Sequence, residues 1–252
     1  MPDSPPAFNY RNRLYARYGT TMQSAPERFD EAASRRWGKA YDWYLRGWMP
    51  ASKDARIVDL ACGYGRLLHF FRERGYHDIA GVDISPDQVR RARQVVPEVH
   101  EANVLDFLEA HPGQYDLITA LDLIEHLTKD EALRFLAACY AALKPGGRLV
   151  LQTPNADSPF GMASRYGDLT HEVCFNVNAL TRLLGLHGFT AIEAREFGPV
   201  PWGYSLASSA RRLAWQVIRT GLKLWNLAET GSAGEGVFSR NLLASALRPS
   251  GK

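Results

Sequence analysis

The sequence has little cysteine. Its three thiols, Cys62, Cys139 and Cys174, are widely spaced and odd in number, which fits neither a disulfide framework nor the spacing of zinc ligands. It also has no stretch of about 18 apolar residues, the length that a membrane-spanning helix needs. The N-terminus lacks the basic head and apolar core of a secretion signal. These absences predict a protein with reduced thiols that works in the cytoplasm.

An excess of charge of one sign is also missing. The chain carries 30 Lys and Arg residues against 27 Asp and Glu residues, which argues against a surface dedicated to nucleic acid. Its 252 residues, 46% of them hydrophobic, are enough for one core of ordinary size. We therefore expect one domain with additions at its ends and without a surface dedicated to nucleic acid.

From Arg56 onward the chain alternates between runs typical of strands and stretches typical of helices. The predicted strands are RIVDLA, HDIAGVDI, EVHEANV, YDLITALDL and GGRLVLQTP, followed by residues 189–196 and 241–247. The predicted helices cover residues 67–74, 86–96, 106–110, 130–142 and 178–187. This alternation predicts a parallel sheet with helices on both faces. The LKPGG stretch, residues 143–147, predicts a turn, and the polar segment 155–176 predicts a functional loop.

A glycine turn, DLACGYG, follows the first predicted strand. Such a turn lets a ligand approach the backbone at the carboxyl end of a strand. The third glycine of a dinucleotide fingerprint would fall at Leu68, which disfavours nicotinamide and flavin dinucleotides. A carboxylate at Asp59 would repel a pyrophosphate but attract a cation, and Asp83 ends the second strand, where a carboxylate can bind ribose hydroxyls. A nucleoside with a cationic tail, S-adenosylmethionine, meets both conditions.

In combination, these motifs resemble those of the class I S-adenosylmethionine-dependent methyltransferases over roughly residues 57–196. The resemblance implies an α/β fold: a doubly wound, mostly parallel seven-stranded sheet with an antiparallel last strand and helices on both faces. It implies an N-terminal helical cap, residues 1–50, over the cofactor and acceptor pocket. Residues 51–252 would form the Rossmann-like domain, with a helical insertion at about residues 202–238.

The resemblance also assigns the cofactor-binding positions. They are Asp59, Ala61, Gly63, Gly65, Asp83, Ile84, Asn103, Val104 and Leu121. Ala61 stands where the family usually has glycine, a small change that we expect to be tolerated. Asn103 stands where the family usually has aspartate, and its side-chain carbonyl can still accept a hydrogen bond from an adenine amino group.

Two histidines are candidate general bases. His126 follows the fourth strand, and His171 lies in the segment GDLTHEVCF, which resembles the substrate segment of small-molecule O-methyltransferases. Neutral imidazole can take a proton from a hydroxyl near neutral pH, and His171 is the preferred candidate. The expected acceptor contacts are Tyr15, Asn155 and Asp168. No metal is expected, because the carboxylates and amide that could bind one lack the spacing of a magnesium site.

The resulting hypothesis is an O-methyltransferase that acts on a hydroxyl of a small molecule with a histidine as general base. A sugar or surface-glycan precursor is the first choice of acceptor, on the resemblance alone. Quinone or natural-product methylation is the alternative within the same class. A different class of function, a partner subunit that binds the cofactor without catalysis, is also open.

Residues 211–228 place apolar and basic side chains at helical spacing. Trp215, Ile218, Leu222 and Trp225 alternate with four basic residues in RRLAWQVIRTGLKLWNLA. One interpretation is an apolar stripe that packs on the protein's own core or on a second subunit of a homodimer. The other is contact with a membrane surface or a lipid-linked substrate. Packing is the favoured interpretation.

Overall fold

The computed structural model describes residue 14, residues 28–200 and residues 205–251. Up to the fourth strand, its elements are α1 Glu31–Tyr44, β1 Ile57–Leu60, α2 Arg66–Glu73, β2 Ile79–Asp83, α3 Pro86–Ala92, β3 Val99–Glu101, α4 Val104–Glu109 and β4 Tyr115–Leu121. They are followed by a 3-10 turn Ile124–His126, α5 Lys129–Ala142, β5 Leu143–Pro154, α6 Gly161–Gly167, α7 Val177–Leu186, β6 Thr190–Glu196, α8 Leu206–Thr230 and β7 Asn241–Leu247.

The strands form one seven-stranded sheet in the order β3-β2-β1-β4-β5-β7-β6. Strand β7 runs antiparallel to both β5 and β6, whereas the pairs formed by β1 to β5 are parallel. Strand β1 lies between β2 and β4 and is buried along its whole length, as its continuous apolar run predicts. The predicted doubly wound, mostly parallel sheet with an antiparallel last strand is confirmed.

Helices cover both faces of the sheet. On one face, helices α1, α2 and α3 bury Tyr41, Leu68 and Val89 against β1 and β4. On the other, α5 and α7 bury Phe135 and Leu180 against the opposite side of the same strands. The central strands are therefore packed between two hydrophobic cores, which hold the strand ends at fixed positions.

Helix α1 lies within the predicted N-terminal cap. The Tyr41 hydroxyl donates to Gln152 Oε1 at 2.9 Å, and the Tyr44 hydroxyl donates to the Gly198 carbonyl at 2.6 Å. These bonds fix the helix to strand β5 and to the segment after β6. Tyr15 and most of the first 27 residues lie outside the described part of the chain, so the division into a cap and a domain stays a prediction.

Most predicted bounds are close to the observed ones, with two differences. Strand β5 begins at Leu143, directly after α5, where a turn was predicted. Leu143 pairs with Tyr115 of β4 and Arg148 pairs with Leu117, so the register shifts between these two pairs. Gly146 and Gly147, which lie between Leu143 and Arg148, therefore form an irregularity within the strand. The segment predicted as a loop, residues 155–176, contains the short helix α6.

Hydropathy gives one further result. Among the described residues, no helix combines the length and the apolar character that crossing a bilayer requires.

We expect Gly81→Ala to destabilise the fold. An added Cβ would lie 2.8 Å from Leu68 Cδ1 and 2.9 Å from Cys62 Sγ, inside a packed layer between β2 and the glycine turn. Overpacking of this kind costs about 1 to 3 kcal/mol of unfolding free energy, which urea denaturation would measure. Gly221→Ala on α8 is the control, because nothing lies within 4 Å of its added Cβ and alanine favours a helix. Equal midpoints for Gly81→Ala and the wild type would contradict this packing.

Candidate active site

A cavity of about 790 Å³ opens at the carboxyl ends of β1, β2 and β4. Its size is that of a small-molecule site. Six of the residues predicted to bind the cofactor line it: Ala61, Asp83, Ile84, Asn103, Val104 and Leu121. Asp168 and both candidate bases line it as well. Residues that the sequence did not single out for the site also contribute, among them Glu125, Glu131 and Arg240.

The turn after β1 is built from left-handed backbone. Ala61, Gly63 and Gly65 have φ angles of 53°, 54° and 93°. Alanine tolerates this conformation at some cost, whereas glycine adopts it freely. Gly65 also has to lack a side chain, because an added Cβ would come within 3.2 Å of the Ala92 backbone. Gly63 and Gly65 therefore shape the wall of the cavity from behind, and only Ala61 of the three lines it.

Asp83 has the geometry of a hydroxyl-binding carboxylate. Its oxygens accept backbone N–H groups from Gly63 at 2.9 Å and Ser85 at 2.8 Å. Burial raises the pKa of this carboxyl, while the backbone bonds oppose the rise. A carboxylate offers about four acceptor positions, so it can also receive a diol from the cavity. Next to it, the side chain of Ile84 is 52% exposed, a surface suited to an aromatic base.

Asp59 lies beneath the turn and outside the cavity wall. It is 3% exposed, and the Thr119 hydroxyl donates to its Oδ1 at 2.7 Å. Burial raises its pKa to about 7, and the nearby charge of Asp83 adds to the rise. The sequence placed this residue next to a cationic ligand, whereas in the structure it does not line the cavity.

Asn103 lines the cavity and also begins helix α4. Its Oδ1 accepts the Leu105 N–H at 2.9 Å, the usual role of an N-cap side chain. One lone pair of this oxygen is thereby used, and the second can face the cavity. Val104 is the first residue of the helix, where the backbone N–H has no partner within the helix.

A polar network joins the ends of β4, β5 and β7. Asp122, which has a positive φ of 53°, accepts from Gln152 Nε2 at 2.9 Å and from Asn241 Nδ2 at 3.1 Å. Burial raises its pKa to about 6. A carboxyl on strained backbone that is held in this way at a strand end is typical of a functional position.

Glu125 is the most completely buried carboxyl of the cavity wall. Its Oε2 accepts the Thr153 hydroxyl at 3.0 Å, while Oε1 is buried without a hydrogen-bond partner among the described residues. Burial, followed by the charge of Asp122, raises its pKa well above the ordinary value. The backbone carbonyl of Glu125 accepts the N–H groups of Glu172 and Val173 at 2.7 and 3.1 Å, which ties the 168–173 segment to β4.

His126 belongs to a hydrogen-bonded relay. The Thr170 hydroxyl lies 2.8 Å from His126 Nδ1 and 2.6 Å from Asp168 Oδ1. An ionised carboxylate can only accept, so the hydroxyl proton belongs to the bond with Asp168. His126 Nδ1–H then donates to Thr170, which makes Nε2 the basic nitrogen of the neutral ring.

His171 is oriented by the same segment. Its Nδ1 donates to the Ser164 carbonyl at 2.9 Å, so its Nε2 is also the basic nitrogen. The rings of His171 and His126 meet edge to face with centroids 4.7 Å apart. The Arg165 guanidinium holds the backbone carbonyls of His171 and Glu172. The structure thus brings both candidate bases together on the cavity wall.

The same side chains have the composition of a metal site. Glu125, His126 and His171 each offer one ligand atom, and these atoms lie within 4.8 Å of one another. Two imidazoles and a carboxylate can hold a transition metal or zinc on one face. The sequence missed this cluster because its prediction considered only oxygen ligands.

Two predicted acceptor contacts are not brought into the site. Asn155 is fully buried, its amide donates to the carbonyls of Val237 and Ser239, and its oxygen accepts the Asp157 N–H. All of its polar atoms are used to hold the chain after β5, and it does not line the cavity. Tyr15 lies outside the described residues.

Known proteins resemble this chain over the part that builds the cavity. A family model described as a methyltransferase domain matches residues 29–194. The ubiquinone biosynthesis O-methyltransferase of Xanthomonas campestris pv. campestris (strain B100) is 32% identical over 107 residues, 40% of this chain and 44% of that protein. The enzyme of that name from Pseudomonas aeruginosa (strain UCBPP-PA14) is 30% identical over 106 residues, with the same coverage of 40% and 44%. The matches span less than half of the length of these relatives.

Solved structures share the fold. A SAM-dependent methyltransferase from Archaeoglobus fulgidus superimposes with a TM-score of 0.63 at 22% identity, covering 83% of this chain and 94% of that one. Phosphoethanolamine N-methyltransferase 2 of Haemonchus contortus, in complex with S-adenosyl-L-methionine, gives a TM-score of 0.60 at 16% identity, covering 97% of this chain and 61% of that one. At these identities the likeness concerns the fold.

We expect Asp59→Asn to change how stability depends on pH. Burial holds the pKa of Asp59 at about 7, whereas an unfolded aspartate titrates at about 3.9. Between these values the folded state keeps a proton that the unfolded state has released, so this group makes the wild type less stable as the pH rises. The variant should gain roughly 4 kcal/mol on the wild type between pH 4 and pH 8, as measured by urea denaturation.

Asp54→Asn is the matched control, because Asp54 is an exposed carboxyl just before β1. Its pH profile should run parallel to that of the wild type. A parallel profile for Asp59→Asn would show instead that Asp59 is ionised in the folded protein.

Proposed function

We propose that this chain, which belongs to the methyltransferase domain family of class I S-adenosylmethionine-dependent methyltransferases, transfers a methyl group to a hydroxyl of a small molecule. The observation that carries the proposal is the relay of Asp168, Thr170 and His126 on the wall of the cofactor cavity. A transfer to oxygen must remove a proton from the acceptor, and this relay is built to receive one.

The cavity suits S-adenosylmethionine as methyl donor. When bound, this cofactor supplies an electrophilic methyl group on a sulfonium. Asp83 would accept hydrogen bonds from the ribose hydroxyls, and Ile84 would pack against the adenine. The carboxyl of Asp122, with a pKa of about 6, is mostly ionised at neutral pH and would favour a cationic ligand in the cavity.

His126 is the proposed general base. Its Nδ1–H is held by Thr170, which is held in turn by Asp168, so Nε2 is presented in the correct tautomer and the imidazolium is stabilised once formed. His171 touches the same ring and would orient the acceptor hydroxyl. The sequence preferred His171 as base; the carboxylate behind Thr170 favours His126.

A phenolic hydroxyl is the proposed acceptor. The curated relatives are named for O-methylation in ubiquinone biosynthesis, and a phenol, with a pKa of about 10, gives up its proton to imidazole more readily than an aliphatic alcohol. Helix α6, which lines the cavity through Ala163 and Ser164, also exposes Met162 and Tyr166. Within the cavity, the apolar side chains of Leu123 and Leu127 suit an aromatic or alkyl-bearing acceptor.

The sugar or surface-glycan acceptor expected from the sequence remains the second candidate. The resemblance of the GDLTHEVCF segment supports it. Assays with methyl-labelled cofactor on alkyl catechols and on nucleotide sugars, run side by side, decide between them. Cofactor binding with no turnover on either class would favour the non-catalytic partner subunit. The cytoplasmic location stays a prediction of the sequence.

Asp83→Asn tests the cofactor site. The amide replaces one acceptor oxygen with a donor that faces backbone N–H groups, so we expect the Kd for S-adenosylmethionine to rise by roughly 10- to 100-fold. Titration calorimetry measures it. Glu101→Gln, at the exposed end of the adjacent strand β3, should leave the Kd unchanged. An unchanged Kd in Asp83→Asn would place the ribose elsewhere.

His126→Asn tests the base. We expect kcat on a phenolic acceptor to fall by roughly 10²-fold or more, with the Kd for the cofactor unchanged. Thr170→Val removes the hydroxyl of a positioning residue and should lower kcat less, with little change in KM, while Thr170→Ser should restore it. Wild-type kcat in His126→Asn would rule out this assignment.

A chelation arm of the same experiment separates a base from a metal ligand. Protein stripped with EDTA should keep its kcat if His126 acts as the base. Loss of activity that one divalent ion restores would instead assign Glu125, His126 and His171 as ligands of that ion.

A further inference from the structure

Helix α8 packs on the rest of the chain through a polar side. Trp215 Nε1 donates to Glu196 Oε2 at 3.2 Å. Arg219 Nε lies 3.5 Å from Glu196 Oε1 and donates to the Gly236 carbonyl at 2.9 Å. These contacts fix one side of the helix to the end of β6 and to the turn before β7.

The opposite side of α8 is apolar and exposed. Leu206, Leu213, Val217 and Leu224 recur at spacings of seven, four and seven residues, which places them in one stripe. Ile218 and Trp225, seven residues apart, form a neighbouring row. Leu213, Val217 and Trp225 are 65%, 69% and 70% exposed. This arrangement is the inverse of an ordinary surface helix, whose apolar stripe faces the core.

The helix is well formed despite its exposed apolar side. It has 25 residues, begins with the Ser205 side chain accepting the Ser208 N–H at 3.0 Å, and ends at Gly231 in the left-handed conformation. The helix is therefore about 38 Å long, and the apolar ridge from Leu206 to Leu224 covers about 27 Å of that length. It also lies beyond residues 29–194, the part of the chain that the family model matches.

The charge of α8 selects among the surfaces that could cover the ridge. Two of its basic side chains are held by the body of the protein: Arg219 by Glu196 and the Gly236 carbonyl, and Arg212 by the Pro199 carbonyl. Arg211 and Lys223 stand against one acid, Glu229. Arg211 lies seven residues before Ile218, at the end of the same row as Trp225. A second copy of this chain would bring the same positive helix to the contact, whereas an anionic lipid surface is complementary to it.

We propose that α8 docks the protein on the surface of an anionic bilayer, in the plane of the interface. The leucines, Val217 and Trp225 enter the boundary between headgroups and acyl chains, as in other interfacial amphipathic helices. Arg211 and Lys223 extend toward the lipid phosphates. The proposal does not depend on which acceptor is methylated.

Vesicle flotation tests this proposal with the full-length protein. We expect binding to vesicles of phosphatidylglycerol and phosphatidylcholine at least tenfold stronger than to phosphatidylcholine alone, and weaker binding in high salt. The double variant Leu213→Glu/Val217→Glu should lose at least tenfold. Asn178→Glu/Leu186→Glu is the matched control, because it adds the same charge at exposed positions of α7 and should bind as the wild type does.

The Kd for S-adenosylmethionine, measured on the same proteins, separates this proposal from the proposed function. It should be the same in both double variants, which also shows that they are folded. Equal vesicle binding by the two double variants, or no binding by the wild type, would overturn the proposal. So would a dimer in light scattering that only Leu213→Glu/Val217→Glu dissociates, since the ridge would then belong to a second copy.

Discussion

The crowding of buried carboxyl groups at one edge of the sheet is the constraint on which the site depends. Asp59, Asp83, Asp122 and Glu125 follow three neighbouring strands, and burial raises the pKa of each. Buried carboxylates are costly unless hydrogen bonds satisfy them. The fold supplies those bonds from backbone N–H groups, threonine hydroxyls and side-chain amides. A cationic ligand in the cavity would stabilise the ionised form of the carboxyls that line it, Asp83, Asp122 and Glu125.

The backbone is shaped to make this arrangement possible. Positive φ angles at Ala61, Gly63 and Asp122 turn the chain sharply where β1 and β4 end, so that N–H groups point at carboxylates and not along the sheet. Non-glycine residues in this conformation cost stability. The two cores that pack against the central strands hold the strand ends in place and offset that cost. The fold can therefore tolerate the strained backbone of Ala61 and Asp122 beside the cavity.

Local patterns in the sequence were enough to predict the sheet and the part of the site that would hold the cofactor. Parallel strands buried on both faces appear as continuous apolar runs, and Asp83 can be placed because it ends such a run. The relay could not be predicted, because Thr170 meets His126 across 44 residues through a loop of no regular pattern. Amphipathicity revealed that α8 has an apolar side. It could not reveal which side packs, since that depends on partners outside the helix, among them Glu196 and the Gly236 carbonyl.

Proton acceptance and cation binding share one electrostatic environment. The 168–173 segment is tied to β4 through the Glu125 carbonyl, so Asp168, Thr170 and His126 keep a fixed position relative to the carboxyl cluster. In the proposed mechanism, methyl transfer removes a positive charge from the cofactor and proton transfer creates one on imidazole. Because Asp122 and Glu125 line the same cavity as His126, a positive charge in either place would stabilise their ionised forms. Once ionised, these two carboxyls would stabilise the charged group both before and after the transfer.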